Sequence, residues 1–153
     1  MDTTSVQYRI GEAAQQSGVS AANIRYYEKE GLLAPGVRGD NSYRLYSGAD
    51  VHQLRFIRLC RAMDMSLDEV RTLLALNLGS PADCGTARAA LDAHLDHVRE
   101  RLRELRALEK DLAALRDSCD GQGAHCRIIE ALHARADAQP ATGERGSPAM
   151  RHV

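Results

Sequence analysis

The sequence predicts a mainly α-helical chain, in which a winged helix-turn-helix domain is followed by one long helix of an antiparallel coiled coil. Three observations favour this fold class. Aromatic residues are scarce, at five Tyr, one Phe and no Trp in 153 residues, which favours helices packed through Leu, Ala and Val over a large sheet. Two short helical segments are separated by the turn "GVS". Farther along, apolar residues recur seven positions apart, as in a coiled coil.

The helix-turn-helix is predicted from two helices with clear ends. The first, "IGEAAQQS", stops at Gly18, a residue that readily takes the left-handed conformation of a helix end. Ser20 then caps "AANIRYYEKEG", which closes at Gly31. Proline and glycine mark the loops that follow, and "SYRLYS" alternates as a short strand does. A hairpin beside a helix-turn-helix is a wing.

Two more helices complete a domain that we place at residues 8–78. Ser47 or Asp50 is expected to cap "VHQLRFIRLCRAMD", in which Cys60 is interpreted as a core residue. Ser66 caps "LDEVRTLLALN", with Glu69 at the third helical position, which is the arrangement of a capping box.

Residues 82–119 are predicted to form a dimerisation helix. About 54 Å of amphipathic helix is more than the preceding domain can cover, so pairing with a second copy is favoured over folding back. The seam and its flanking leucines are Leu91, Leu95, Val98, Leu102, Leu105, Leu108, Leu112, Leu115 and Cys119. A metal-binding loop and short C-terminal helix are assigned to 119–136, and a disordered tail to 137–153.

Charge and leader patterns limit the functional classes. The net charge of −1 gives no global indication of nucleic-acid binding. Five arginines stand against two aspartates between Arg38 and Arg61, a local excess that solvated surface arginines would also explain.

The N-terminus lacks the pattern of a secretory signal, and no apolar run reaches membrane-spanning length. We therefore expect a cytoplasmic protein with no membrane partner, whose four cysteines serve metal or redox chemistry.

Two thiols stand at opposite ends of the long helix. Cys84 and Cys119 would lie roughly 52 Å apart along it, so they cannot share a ligand within one straight helix. Antiparallel pairing would bring Cys84 of the partner subunit beside Cys119 and Cys126. Three thiolates suit zinc, cadmium, mercury or lead. The alternative is that Cys84 and Cys119 are small buried apolar residues.

Histidines offer a possible second site. His94 and His97 are three apart on one helix face, where two imidazoles can chelate one ion and Glu69 could complete the site. The alternative is a solvent-exposed polar face without a ligand. His125, next to Cys126, is either a fourth ligand or a bystander, and His133 has no assigned role.

The chain resembles the MerR family of bacterial transcription regulators. "RIGEAAQQSGVSAANIRYYEKEGLLAP" and "NSYRLYS" resemble its DNA-binding domain. "FIRLCRAMDMSLDEVRTLL", the "DCG" at the start of the long helix and the closing two-cysteine loop resemble its metal-sensing members, so the likeness spans about residues 8 to 130. It implies a homodimer that binds a promoter palindrome. Metal binding would distort the DNA, so that RNA polymerase transcribes metal-resistance genes.

The resemblance also implies roles for individual residues. Arg25 and Tyr26 would lie at the DNA on the recognition helix, whereas Tyr27 is expected to pack locally. The wing contacts would be Tyr43, Arg44 and Tyr46.

The resemblance further ranks the metals. The copper-type branch has no cysteine where Cys84 stands, and the six residues between Cys119 and Cys126 resemble the cadmium and lead branch. Cadmium is therefore expected first and lead second, with zinc and mercury behind. Two alternatives stay open, a metal-storage or carrier protein that does not bind DNA and a redox sensor with a Cys119–Cys126 disulfide. An enzyme is not expected, because no nucleophile–base arrangement stands out.

Overall fold

The computed structural model describes residues 6–35, 37–39 and 43–141. The chain divides into two compact units, residues 1–97 and 98–153, and each is described by itself. The elements in chain order are β1 (Gln7–Tyr8), α1 (Ile10–Ser17), α2 (Ala21–Lys29), β2 (Val37–Arg38), β3 (Arg44–Ser47), α3 (Gly48–Ala62), α4 (Leu67–Leu74), α5 (Pro81–Asp117) and α6 (Arg127–Ala138).

The predicted helix-turn-helix is present as α1 and α2. Gly18 follows α1 with a φ of 73°, a left-handed conformation in which a side chain is strained. The Ser20 side chain accepts a hydrogen bond from the Asn23 N–H at 3.2 Å and so caps α2. Gly31, at a φ of 73°, follows α2 as expected.

The wing is a small antiparallel sheet with strand order β1-β3-β2. Tyr8 of β1 pairs with Tyr46 of β3, and Val37 of β2 pairs with Leu45 of β3. The predicted strand "SYRLYS" is observed from Arg44 onward, and its first residue lies outside the described residues. The sequence reasoning missed β1, because a two-residue strand is too short to carry a periodicity.

The core of the first unit lies where α1, α2, α3, α4 and β3 meet. Cys60 is 2% exposed within it, which confirms the core interpretation, and burial raises the pKa of its thiol. The largest fully buried side chains are Tyr46, Ile24, Leu33, Leu54, Ile57, Val70, Cys60 and Ser17.

Both predicted caps of α3 and α4 are observed. Ser47 and Asp50 exchange hydrogen bonds at the start of α3, and Ser66 and Glu69 do so at the start of α4. Because Ser47 is the cap, α3 begins at Gly48, three residues before the predicted Val51.

The long helix α5 runs for 37 residues, about 55 Å at the usual rise, and contributes to both units. Five of its leucines are 44–54% exposed in the single chain, namely Leu91, Leu95, Leu102, Leu108 and Leu112. In the second unit, Leu115 is 8% exposed and Arg135 of α6 pairs with Asp111 at 2.7 Å.

The last helix ends later than predicted. Helix α6 extends to Ala138, two residues beyond the predicted end of the short C-terminal helix at residue 136. Residues 142–153 of the predicted tail lie outside the described part of the chain. Among the described residues, no helix has both the length and the apolar character that crossing a membrane requires.

Candidate DNA-binding surface and metal centres

The α2 surface exposes two of the predicted DNA contacts. Arg25 is exposed, and Tyr26 is 45% exposed. Tyr27 is 8% exposed, which confirms its predicted packing role. The rings of Tyr26 and Tyr27 are 5.8 Å apart and tilted by 50°, so the buried tyrosine supports the exposed one from behind.

The wing presents two of its three predicted contacts. Tyr43 is 58% exposed, and the Arg9 guanidinium lies 5.0 Å from the centre of its ring, within cation–π range. Arg44 is partly exposed and forms an ion pair with Glu28 of α2. Both side chains are therefore held by neighbours and still reach the surface.

Tyr46 corrects the sequence-based assignment. Its side chain is fully buried in the core, so the predicted wing contact is wrong. Residues alternate between the two faces of a strand, and Tyr46 occupies a position on the inner face. Burial first, and then the nearby Glu28 carboxylate, raise the pKa of Tyr46 to about 12.

Some arginines of the local cluster are structural. Arg55 donates to the carbonyl oxygen of Gln16, in α1, through Nε at 2.9 Å and Nη2 at 2.7 Å. Arg61 donates to the Met65 carbonyl at 2.6 Å. These guanidinium groups satisfy carbonyl oxygens near helix ends. They keep their charge, but some of their N–H donors are already used within the fold.

A carboxylate and two imidazoles meet between α4 and α5. Glu69 Oε1 lies 3.1 Å from Nδ1 of His94 and 3.5 Å from Nδ1 of His97. Each of the three residues has a ligand-type atom within 4.8 Å of the others. His94 is 9% exposed, so the interpretation as a solvent-exposed polar face is wrong for His94, whereas His97 is largely exposed.

The surroundings of His94 favour its protonated form. Its Nε2 lies 2.9 Å from the Met63 carbonyl oxygen. This carbonyl, followed by the Glu69 carboxylate, raises the pKa of His94 although burial lowers it. Burial favours the neutral acid of Glu69, but the Ser66 N–H and the His94 ring outweigh it and lower the pKa of the carboxyl. A cation at this cluster would take the place of the proton on Nδ1, while the Met63 carbonyl would keep the ring oriented.

The second unit brings two of the predicted thiols together. Cys126 is the residue that precedes α6, at its N-terminus. The backbone N–H of Ile129, then that of Ile128 and the Cys119 side chain, lower the pKa of the Cys126 thiol. Thiolates are the form of cysteine that binds metal, so this pair is a donor set suited to a soft cation.

Cys84 is exposed and lies in the first turn of α5, in the first unit. Its N–H donates to the Ser80 carbonyl at 3.1 Å. Negative charge is stabilised near a helix N-terminus, a position that suits a thiolate ligand. All four cysteines are free thiols.

Two histidines share a surface depression with one of the proposed thiol ligands. His125 and His133 line a surface depression together with Cys126 and Glu130. The signal for His133 was present in the sequence, because residues 126, 130 and 133 share one face of a helix.

Known proteins resemble both the sequence and the fold. The family model for MerR HTH family regulatory proteins matches residues 8–76, and the model described as "MerR, DNA binding" matches residues 51–115. The transcriptional regulator ZntR of Escherichia coli K12 is 35% identical over 129 residues, which cover 82% of this chain and 92% of that protein.

Two further relatives are described by the metals they respond to or bind. The heavy metal-dependent transcription regulator 2 of Rhizobium meliloti is 36% identical over 124 residues, covering 80% of this chain and 84% of that protein. The crystal structure of PbrR691 from Ralstonia metallidurans CH34, a transcription regulator in complex with lead(II), is 43% identical with a TM-score of 0.69. That match covers 81% of this chain and 98% of the other.

Proposed function

Because this chain belongs to the MerR family of helix-turn-helix transcription regulators, we propose that it is a sensor of divalent heavy-metal ions. Members of the family are transcription regulators, not enzymes. In this proposal the protein binds a promoter palindrome as a homodimer. Metal binding distorts the DNA so that RNA polymerase transcribes metal-resistance genes.

The observation that carries the proposal is the thiol pair of the second unit. Cys119 and Cys126 interact, and the amides at the start of α6 favour the Cys126 thiolate. Cys84 of the partner subunit is the third ligand in this proposal. Antiparallel pairing of two α5 helices would bring it there, and the exposed leucines of α5 supply the apolar surface for such pairing.

The proposed order of metals is cadmium, then lead, with zinc and mercury behind. Three thiolates favour soft, large divalent cations over hard ones. The similarity to PbrR691, whose structure contains lead(II), supports the choice of this part of the family. The preference between cadmium and lead depends on groups around the sulfurs.

A second metal site at Glu69, His94 and His97 is also proposed. The three side chains have the number, type and proximity of ligands that a borderline divalent cation takes. Occupation would exchange the proton on His94 for the metal and would leave α4 and α5 joined by a coordination bond. The proposed DNA contacts are Arg25, Tyr26, Tyr43 and Arg44.

In vitro transcription tests the sensing mechanism. We expect cadmium or lead to activate transcription by the native protein with purified RNA polymerase, and Cys84→Ser to abolish most of this response. The matched control is Cys60→Ala, a thiol buried in the core that is not a proposed ligand. An unchanged metal response of Cys84→Ser would contradict the three-thiolate site.

Two measurements separate the proposal from its alternatives. A metal-storage or carrier protein would bind the ion but would not shift promoter DNA in a gel. A redox sensor, which the nearness of Cys119 and Cys126 would permit, would respond to oxidant. Stoichiometric metal binding under strong reductant, together with metal-dependent transcription, distinguishes the sensor from both.

A further inference from the structure

The recognition helix and the wing share one buried carboxylate. Glu28 lies in the last turn of α2, and its side chain is only 4% exposed. It pairs with Nη1 of Arg44, the first residue of β3. Because a buried charge is costly unless it is paired, this ion pair links the position of the Arg44 side chain to α2.

The pair lies at the edge of a cationic surface depression, which we name the α2–wing depression. Its lining residues are Arg25, Glu28, Lys29, Pro35 and Arg44. Three cationic side chains stand against one carboxylate, so the depression suits an anion. On a surface that faces DNA, the anion with this chemistry is a backbone phosphate.

Arg44 can bind Glu28 and a phosphate at once. A guanidinium carries five N–H donors in a fixed planar fork. Glu28 Oε2 accepts at Nη1, which leaves the other guanidinium donors uncommitted to Glu28, and the Arg44 side chain as a whole is 44% exposed. The geometry of the guanidinium therefore allows both partners.

Arg44 supplies the counter-charge of Glu28, and the Tyr46 hydroxyl is a neutral neighbour of the same carboxylate. Within the described residues, Glu28 Oε1 makes no hydrogen bond of ordinary length and angle. Tyr46 lies two residues beyond Arg44 on the same side of β3, and it is fully buried. If Arg44 turned away to reach DNA alone, the carboxylate would lose its counter-charge. We therefore expect Arg44 to contact DNA while it stays paired with Glu28.

We propose that Glu28 is a positioning residue for DNA binding, which holds Arg44 at the rim of the α2–wing depression so that the guanidinium donates to a backbone phosphate. The proposal rests on the proposed function, because it requires that the protein bind duplex DNA. It does not depend on which metal is sensed.

The test uses a substitution in which loss of charge and loss of positioning should change the affinity for DNA in opposite directions. The wild-type protein first selects a duplex from a random-sequence library, and affinities for that duplex are measured by fluorescence anisotropy. Removing a negative charge near DNA should by itself strengthen binding, and we expect this, or no change, for the control Glu30→Gln. For Glu28→Gln we expect about tenfold weaker binding, because the charge-assisted bond to Arg44 is lost.

Two further readouts distinguish positioning from a loss of stability. The logarithm of the binding constant falls linearly with the logarithm of the salt concentration. In Glu28→Gln this slope should become shallower by about one unit per subunit, since one phosphate contact is lost. In an Arg44→Ala background, Glu28→Gln should cause no further loss, because both changes remove the same contact. Arg44→Lys should weaken binding although its charge is kept, because lysine lacks the planar fork. Thermal unfolding of each variant checks that it is folded.

Several outcomes would overturn the proposal. If Glu28→Gln binds as tightly as the wild type or more tightly, or weakens binding equally with and without Arg44, Glu28 does not act through Arg44. In that case the proposed function stands, because the wild type still binds its duplex. If the wild type selects no duplex at all, the proposed function and this inference fail together.

Discussion

His94 uses both nitrogens of its ring. Nδ1 lies next to the Glu69 carboxylate at 3.1 Å, and Nε2 lies next to the Met63 carbonyl at 2.9 Å. Both partners are acceptors, so only the doubly protonated ring donates to both. When His94 is protonated, the cluster is therefore an ion pair that joins α5 to α4 and to the residue that follows α3.

In the metal-free protein, we expect the contribution of His94 to stability to fall as the pH rises. The folded state raises the pKa of His94. Its contribution is therefore complete below the unfolded pKa, about 6.5, and is lost as the pH rises through the folded pKa. His94→Gln should lower the free energy of unfolding by about 1 kcal/mol near pH 5.5 and by less near pH 8.5.

Urea unfolding with a chelator present measures this difference. His97→Gln is the matched control, because His97 is largely exposed and lies farther from Glu69. It should show little dependence on pH. A cost of His94→Gln that is equal at the two pH values would contradict the ion-pair interpretation.

For single residues, type and spacing in the sequence predicted the burial of Cys60 but not that of Tyr46. Cys60 was assigned correctly because it falls on an apolar stripe that repeats at helical spacing. Tyr46 was not, because "YRLY" alternates without indicating which face is buried. That choice depends in part on the packing of β3 against α1, which lies far earlier in the chain.

Among the elements, the turn between α1 and α2 depends on one backbone conformation. Gly18 has a φ of 73°, and a Cβ built there would lie 2.5 Å from Nη1 of Arg58. We expect Gly18→Ala to lower the free energy of unfolding by about 1–2 kcal/mol, because left-handed backbone is unfavourable for alanine and the Arg58 side chain must move.

The control for this substitution is Gly48→Ala in the first turn of α3, where no atom lies within 4 Å of the added Cβ. Alanine is the better helix former, so this variant should be as stable as the wild type or more stable. Denaturant unfolding of both variants compares them, and equal losses at Gly18 and Gly48 would count against the conformational argument.

The serine caps at the starts of α2, α3 and α4 were predicted because their signals are local. Ser20, Ser47 and Ser66 accept hydrogen bonds from N–H groups a few residues away, so sequence spacing contains the information. Strand β1 could not be predicted, because its two residues are defined only by pairing with β3. Local chemistry specifies caps, whereas long-range pairing specifies edges of a sheet.

For the whole molecule, the exposed leucines of α5 determine the expected assembly. Leu102 and Leu112 are 45% and 54% exposed in the single chain, and burial of apolar surface drives association. We expect Leu102→Glu to shift sedimentation toward the monomer, because a charge would be buried in the seam. Leu78→Glu is the control, at a fully exposed position outside α5.

A Leu102→Glu protein that sediments as the wild type does would argue against α5 pairing, and with it against the proposed three-thiolate site.

The heptad pattern predicted the helix and its apolar stripe. It did not predict that Leu115 would be buried within the chain's own second unit, because a period of seven does not distinguish burial within a chain from burial against a second copy. The domain boundaries and the antiparallel dimer stay predictions.

One junction in the first unit has a mechanical consequence. Ser47 is the last residue of β3, and its side chain also caps α3, so no hinge separates the sheet from the helix. A rotation of α3 must carry Tyr43 and Arg44 with it. Strand β3 and helix α3 are therefore expected to move as a single body.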